Sequence, residues 1–241
     1  MNDISAATPT FQDLMRQSSS SGAGAESARQ YRLIYERARA KENPTILELG
    51  VKNGVSTAVF LEVCRERGGR LCSIDIMDCS NVADDANWTF VQSDSTDADA
   101  ILQSAPFLRD GIDILLVDSL HVRAHVAKEI EAWYPWLRAG AVIFFDDVDP
   151  SIYRKGARKD NVWHEFDWED IQRFLIELFR SNQEALTLEI HYGSSGLAIS
   201  EKRGGFGEHL VMPQPQTYRT VSPFWRLRVA LARWRGRIGR R

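Results

Sequence analysis

Runs of apolar residues alternate with amphipathic stretches through the middle of this 241-residue chain. Short β-branched runs such as Ile112–Val117 are typical of strands that are buried on both faces of a sheet. Apolar residues spaced three and four apart indicate helices between these strands. The predicted strands are Thr45–Leu49, Arg70–Ile76, Trp88–Gln92, Ile112–Val117 and Ala141–Phe145, and the predicted helices are Ser27–Lys41, Val55–Arg67, Ala98–Ser104, Val122–Leu137 and Trp168–Ser181.

This alternation favours a parallel sheet with helices on both faces. Two further apolar runs, Leu186–Tyr192 and Leu197–Ser200, flank a glycine- and serine-rich turn and predict a final hairpin. The predicted fold class is therefore α/β, with a doubly wound, mostly parallel sheet and an antiparallel C-terminal hairpin strand.

Composition divides the chain into three parts. Residues 1–27 are rich in Ser, Ala, Gly and Thr, which predicts a flexible leader, although Phe11, Leu14 and Met15 allow a short docking turn. Residues 28–205 carry the alternating pattern and form the predicted domain. Residues 206–241 are predicted to be a linker and a basic amphipathic C-terminal helix.

Charge is unevenly distributed along the chain. Seven arginines and no acids lie from Phe224 onward, so residues 1–223 have a formal charge of −10 within a total of −3. This balance argues against nucleic-acid binding by the body. The tail has the pattern of helices that bind anionic membranes, with docking on this protein's own acidic surface or on a second copy as the alternatives. Its apolar stripe is Phe224, Leu227, Leu231, Trp234 and Ile238.

The cysteines and the N-terminus bear on the compartment. Three cysteines at spacings of seven and eight match no zinc site, and the N-terminus has no signal-peptide pattern. No apolar run approaches the ~18 residues that span a bilayer. A cytoplasmic protein, peripheral to the inner face of a membrane through its tail, is expected. The oligomeric state stays open, with a homo-oligomer as one alternative.

Acidic or hydroxyl side chains follow each of the first five predicted strands. Ligands of doubly wound sheets bind beyond these carboxyl ends. A glycine turn before a helix offers free N–H groups, and an acid after the second strand can accept hydrogen bonds from ribose hydroxyls, so the pattern predicts a nucleoside site. The residues in strand order are Glu48 with Gly50, Asp75, Asp94 with Ser95, Asp118 with His121, and Asp146 with Asp147.

From Pro44 to Pro150 these motifs resemble the class I S-adenosylmethionine-dependent methyltransferases, in particular their metal-dependent O-methyltransferase branch, which includes the macrocin and catechol O-methyltransferases and the cephalosporin-hydroxylase-like enzymes. The resemblance implies a Rossmann-like methyltransferase sheet. It places Glu48 and Gly50 at the methionine part of S-adenosylmethionine, Ser56 at its carboxylate and Asp75 at the ribose. The full set expected to bind the cofactor is Glu48, Gly50, Lys52, Gly54, Ser56, Asp75, Asp94, Ser95 and Asp118.

The strand-end acids also predict a metal site and a base. The fourth and fifth strands are expected to be neighbours, and carboxylates that converge there need a cation to offset their repulsion. Oxygen ligands select Mg²⁺, Mn²⁺ or Ca²⁺, and Asp118, Asp146 and Asp147 are the expected ligands. His121, with Asp118 beside it, is the expected catalytic base for a hydroxyl.

The predicted activity is methyl transfer to a hydroxyl of a small molecule, such as a sugar or a natural-product intermediate. A cofactor-binding protein without turnover and a metal-independent methyltransferase are the alternatives. A nicotinamide dehydrogenase is more remote, because Lys52 stands where G-x-G-x-x-G has its middle glycine. The long segment after the fifth strand is expected to cover the acceptor through Tyr153, Trp163 and His164, or to pack its aromatic residues on the core.

Overall fold

The computed structural model describes residues 9–21, 24–150 and 162–214, together with Phe224, Leu227, Arg228 and Leu231. Residues 162–165 are described by their backbone alone. Six helices and seven strands lie in this part of the chain. The helices are α1 (Phe11–Ser18), α2 (Ala25–Ala38), α3 (Val55–Arg67), α4 (Ala98–Ser104), α5 (Arg123–Trp133) and α6 (Val162–Ser181). The strands are β1 (Thr45–Leu49), β2 (Arg70–Asp75), β3 (Trp88–Gln92), β4 (Ile112–Val117), β5 (Leu137–Asp146), β6 (Glu189–His191) and β7 (Leu197–Glu201).

The strands form one sheet in the order β3-β2-β1-β4-β5-β7-β6. Strands β1 to β5 are parallel, and β7 is antiparallel to both β5 and β6. The predicted fold class is therefore confirmed. Since the strand order reverses between β1 and β4, their carboxyl ends flank the crevice in which such sheets bind ligands.

Successive side chains of the central strands enter two separate cores. Ile46, Ile114 and Phe144 pack with α1, α2 and α3 on one face, whereas Leu115 and Ile143 pack with α4, α5 and α6 on the other. All five side chains are fully buried. A strand covered on both faces needs no polar alternation, which is why the sequence shows continuous apolar runs.

The N-terminal part differs from the expected flexible leader. Within residues 1–27 the structure contains α1, which begins with a capping box between Thr10 and Asp13. Leu14 is buried in the core beside α3, and burial of a leucine contributes roughly 1.5–3 kcal/mol. The docking turn of Phe11, Leu14 and Met15 is thus a full helix. Local composition does not predict this helix, because its stability comes from tertiary contacts.

Several other elements depart from the predicted bounds, and β5 and α6 do so most at their starts. Strand β5 begins at Leu137, earlier than the predicted Ala141, and α6 begins at Val162 rather than at Trp168. In the tail, Phe224, Leu227 and Leu231 are helical and exposed, while Trp234 and Ile238 lie outside the described residues. None of the helices in the described part is both long enough and apolar enough to span a membrane.

Candidate active site

The turn after β1 is shaped by close contact between chain segments. Gly50 has a φ of +96°, and a Cβ built on it would lie 2.1 Å from the carbonyl oxygen of Asp118. Gly54 has a φ of +73°, and its Cβ would lie 2.0 Å from Val82 Cγ1. Only glycine fits either position. The sequence predicts glycine here for the approach of a ligand, and the structure adds that the protein's own packing already requires it.

Asp75, at the end of β2, holds this turn. Its Oδ2 accepts hydrogen bonds from the backbone N–H groups of Val51 (2.9 Å) and Lys52 (3.1 Å), and its Oδ1 accepts one from Met77 N (2.9 Å). Burial raises the pKa of Asp75, but these three donors outweigh burial and leave the pKa below its usual range. Lys52 adopts the left-handed region at φ 50°.

Glu48 lies within β1 and is fully buried. Its Oε2 accepts hydrogen bonds from Thr57 Oγ1 (2.8 Å) and Ser73 Oγ (2.5 Å). Its Oε1 has no hydrogen-bond partner among the described residues. Burial raises the pKa of Glu48 to about 7, against the opposing effect of nearby hydroxyl groups. A buried acceptor without a partner fits a ligand that brings an ammonium group to this position.

The N-terminus of α3 faces the same turn. Gly54 is the N-cap residue and provides no side-chain hydrogen bond to the helix. Ser56 is buried in the first helical turn. Free N–H groups and the helix dipole favour a carboxylate at such a terminus. The residues present therefore fit both charged groups of an amino acid, with Glu48 for the ammonium and α3 for the carboxylate.

The loop after β3 carries Asp94 and Ser95. Asp94 Oδ1 accepts hydrogen bonds from Thr96 N (2.9 Å) and Thr96 Oγ1 (2.8 Å), and these bonds lower the pKa of Asp94. Ser95 is buried, and its Oγ lies 3.0 Å from His125 Nε2. The sequence predicts both residues beside a ligand, and the structure adds the contact between Ser95 and His125 of α5.

The acids after β4 and β5 lie close together, because these two strands are neighbours in the sheet, as expected. His121 Nε2 lies 3.3 Å from Asp147 Oδ2 and 3.6 Å from Asp118 Oδ1. Burial, and then the neighbouring carboxylates, raise the pKa of Asp118 well above its usual range. The same causes raise the pKa of Asp146 to about 6. Asp147 has a φ of 58°, a conformation that aspartate tolerates better than most residues.

The fit of a metal ion is mixed. Asp118, Asp146 and Asp147 supply the oxygen donors that Mg²⁺ prefers. However, within residues 9–21, 24–150 and 162–214 no group of three or more His, Cys, Asp or Glu side chains is arranged to hold a metal ion. The donor chemistry is suitable, and metal binding at these residues stays a prediction.

Several residues of this site are not predicted from the sequence. Ser195, in the turn between β6 and β7, donates a hydrogen bond from Oγ to Asp146 Oδ1 (3.1 Å). Asp149 Oδ2 accepts from Gly193 N (2.8 Å) and so binds the same turn. Tyr31 of α2 faces the cluster, since burial and then Asp146 raise its pKa. The predicted hairpin is a signal for Ser195, because a strand antiparallel to β5 brings that turn to the carboxyl edge.

The acceptor residues predicted from the sequence are not tested. Tyr153 lies outside the described residues, as do the side chains of Trp163 and His164. The helix α6 includes Trp163 and His164 in its backbone, so the predicted loop ends earlier than expected. Trp168 is buried in the core, in agreement with the packing alternative for that residue.

Comparisons with known proteins agree with this geometry. Residues 47–148 match the family model described as a methyltransferase domain. No curated protein sequence matches the chain. Many solved structures have a similar fold. Three of them, MycE, PaMTH1 and TomG, are each less than 25% identical to this chain, so the likeness concerns the fold.

The first is MycE, a methyltransferase of the mycinamycin biosynthetic pathway, solved with Mg, SAH (S-adenosylhomocysteine) and mycinamycin VI, with 21% identity and a TM-score of 0.54 over 86% of this chain. The chain spans 58% of the MycE chain. SAH-bound PaMTH1 of Podospora anserina has 14% identity and a TM-score of 0.56, over 80% of this chain and 88% of that one. The O-methyltransferase TomG of Streptomyces achromogenes, involved in tomaymycin synthesis and solved with SAM, has 18% identity and a TM-score of 0.52, over 79% and 89%.

Proposed function

Because residues 47–148 match the family model described as a methyltransferase domain, we propose that this chain transfers the methyl group of S-adenosylmethionine to a hydroxyl of a small molecule. The observation that carries the proposal is the arrangement at the carboxyl edge. Glu48 offers a buried acceptor that has no partner in the described part of the chain, α3 offers an N-terminus without a side-chain cap, and His121 lies beside two carboxylates. The first two suit the amino-acid end of the cofactor and the third suits the acceptor.

His121 is the base in this proposal. When bound, the cofactor supplies an electrophilic methyl group on a positively charged sulfur. His121 would take the proton of the acceptor hydroxyl, and the hydroxyl oxygen would bond the methyl carbon as the carbon–sulfur bond breaks and neutral S-adenosylhomocysteine leaves. Asp118 and Asp147, at 3.6 and 3.3 Å from Nε2, stabilise the imidazolium that results. The chain contributes orientation and proton transfer, without a covalent intermediate on the protein.

A natural-product intermediate or a sugar is the proposed class of acceptor. MycE, which was solved with mycinamycin VI, and TomG, involved in tomaymycin synthesis, support this class by their fold. Panels of hydroxylated macrolides, sugars and phenols, assayed with labelled methyl donor, test it. Methylation of none of these classes while the cofactor binds would favour the alternative of a binding protein without turnover.

Cofactor binding is tested by calorimetry with SAH. The wild-type protein is expected to bind it, and Asp75→Ala is expected to bind at least tenfold more weakly, because the turn loses its support. Asp78→Ala is the matched control, since Asp78 lies in the same loop and accepts a hydrogen bond from Ser80 N in place of the turn. Absence of binding by the wild type at millimolar SAH would overturn the proposal.

We also propose that Asp118, Asp146 and Asp147 bind one divalent cation that assists the acceptor hydroxyl. The mutual repulsion of these carboxylates supports this proposal. The wild type is expected to bind Mn²⁺, and Asp118→Asn is expected to lose this binding. Electron paramagnetic resonance of Mn²⁺ measures both. Methyl transfer that is unchanged in excess EDTA would instead identify a metal-independent methyltransferase.

A further proposal concerns the tail, which we place on the anionic inner face of a membrane. Phe224, Leu227 and Leu231 are exposed at helical spacing, and seven arginines accompany them. The protein is expected to float with vesicles that contain phosphatidylglycerol. It should not float in 0.5 M salt or with vesicles of neutral lipid. If Leu227→Gln/Leu231→Gln floats like the wild type, the apolar stripe has no part in binding.

A further inference from the structure

Two side chains of α5 connect the loops after β3 and β4. Glu129 is fully buried, and its Oε1 accepts a 2.5 Å hydrogen bond from Ser119 Oγ, in the loop after β4. His125, one turn earlier, lies 3.4 Å from the same oxygen. Its Nε2 also lies 3.0 Å from Ser95 Oγ, in the loop after β3. One carboxylate and one imidazole thus link two loops that approach from different strands.

The charge of this pair is poorly screened. A buried carboxylate needs a cation or several donors, and Glu129 Oε2 has no hydrogen-bond partner among the described residues. The hydrogen bond to Glu129 is the largest effect on His125, raises its pKa, and so favours the imidazolium. Asp94 acts in the same direction, while burial and Lys128 oppose it. The geometry and the charges therefore agree on an ion pair.

The same helix holds the β3 loop at a second point. Trp133 Nε1 donates a 2.7 Å hydrogen bond to the carbonyl oxygen of Ser95. Since α5 contacts Ser95 through two side chains and Ser119 through Glu129, the distance between the loops depends on the pair. The proposed cofactor residues Asp94, Ser95 and Asp118 lie in these loops.

We propose that Glu129 is a positioning residue for the adenosine half of the cofactor, and that it acts by fixing the β3 loop against the β4 loop through His125 and Ser119. This inference rests on the proposed function. Glu129 acts through the two loops in this proposal and makes no contact with the cofactor itself. Its loss therefore changes how the adenosine half is held and leaves the methionine half in place.

The test measures binding of two probes, SAH and 5′-methylthioadenosine, which lacks the amino-acid portion. For Glu129→Gln, both affinities are expected to fall by the same factor, roughly tenfold, since a bond to a charged group is lost. Glu48→Gln is expected to weaken SAH alone. This difference assigns the effect of Glu129 to the adenosine half, and Glu177→Gln separates that effect from a general loss of structure.

Glu177→Gln is the matched control. Glu177 is equally buried and also pairs with α5, where Arg123 Nη2 lies 2.6 Å from its Oε2, but neither residue bonds the loops. It is expected to lose stability and to keep the affinity for both probes. If Glu129→Gln does not fold, His125→Asn breaks the same link and is expected to show the same tenfold loss.

Four results would overturn the inference. Wild-type affinity in the folded Glu129→Gln or His125→Asn variant overturns it while the proposed function stands. An equal loss of affinity in Glu177→Gln also overturns it. So does a loss of affinity in Glu129→Gln that affects SAH and spares 5′-methylthioadenosine. Absence of SAH binding by the wild type overturns the proposed function, and this inference falls with it.

Discussion

The two edges of the sheet distribute charge in opposite ways. At the amino edge, where the parallel strands begin, Asp113 Oδ2 accepts from Arg138 Nη1 (2.5 Å) and from Thr45 N (2.8 Å). At the carboxyl edge, Asp118 and Asp146 each lie among other acids, and burial with like charge raises their pKa. The amino edge pairs unlike charges, whereas the carboxyl edge gathers like charges.

A cavity and the gathered like charges lie at opposite edges of the sheet. A cavity of 520 Å³ lies at the amino edge and is lined by Asn43, Thr45, Gly68, Gly69, Arg70, Ala86, Asn87 and Arg138. Its arginines already have partners, because Arg138 pairs with Asp113 and Arg70 packs over the Phe107 ring at 4.3 Å. Like charges gathered at one edge of the sheet, and not this cavity, mark the candidate functional edge of the protein.

The largest effect is expected for His121→Ala, at the carboxyl edge. Loss of a general base lowers methyl transfer by roughly 10²–10⁴-fold. SAH affinity should stay unchanged, because His121 serves the acceptor. Turnover and calorimetry measure the two quantities, and His191→Ala, which removes an exposed histidine at the far strand β6, is the control. A loss of affinity without a loss of rate would contradict the assignment.

Glu48 gives the second effect, through pH. Its pKa of about 7 in the folded protein lies above the ordinary value of 4.5, so between these pH values the folded state binds more protons and Glu48 costs stability as pH rises. The full difference corresponds to about 3 kcal/mol above pH 7. The free energy of unfolding, measured with urea from pH 4.5 to 8, should therefore fall less steeply with rising pH in Glu48→Gln than in the wild type. Parallel curves would show that Glu48 does not titrate in this range.

Asp113→Ala tests the amino edge. It leaves the Arg138 guanidinium and the Thr45 N–H without their acceptor, and the free energy of unfolding should fall by about 2 kcal/mol. SAH affinity and turnover of the folded protein should not change. Asp110→Ala is a matched control with an effect below about 0.5 kcal/mol, since Asp110 is exposed and 3.7 Å from Arg70. Reduced turnover in Asp113→Ala would remove the contrast between the edges.

Asp146→Asn gives the smallest effect and the opposite sign. Asparagine still accepts the bond from Ser195 and removes one of the like charges, so the protein should gain about 1 kcal/mol of stability without added metal. Urea unfolding in EDTA measures this gain, and turnover should fall at the same time. A loss of stability would mean that the acids at this edge are already compensated.

Much of the fold follows from local pattern. Strand β4 and helix α3 have the predicted bounds, because continuous apolar runs and helical spacing each leave few alternatives. Helix α1 and the early start of α6 are missed, since their stability comes from contacts with distant segments. Helix propensity alone is weak in short segments.

The candidate site divides in the same way. The strand-end rule brings Asp118, His121 and Asp147 together as predicted. It does not predict Ser195, Tyr31 or Glu129, because their positions depend on which strand or helix lies beside the edge. His125 illustrates the limit, since a histidine on a helix has no local signal that distinguishes packing from an ion pair with Glu129.

The sequence by itself determined the sheet, its parallel direction and the edge at which the acids collect, since hydrophobic periodicity and strand ends are local properties. Only the tertiary structure decided how those acids are used. It assigned Asp75 to the glycine turn, left one oxygen of Glu48 without a partner among the residues that the structure describes, and tied two loops to Glu129. These are distances between segments far apart in the chain, and they exist only after packing has fixed the backbone.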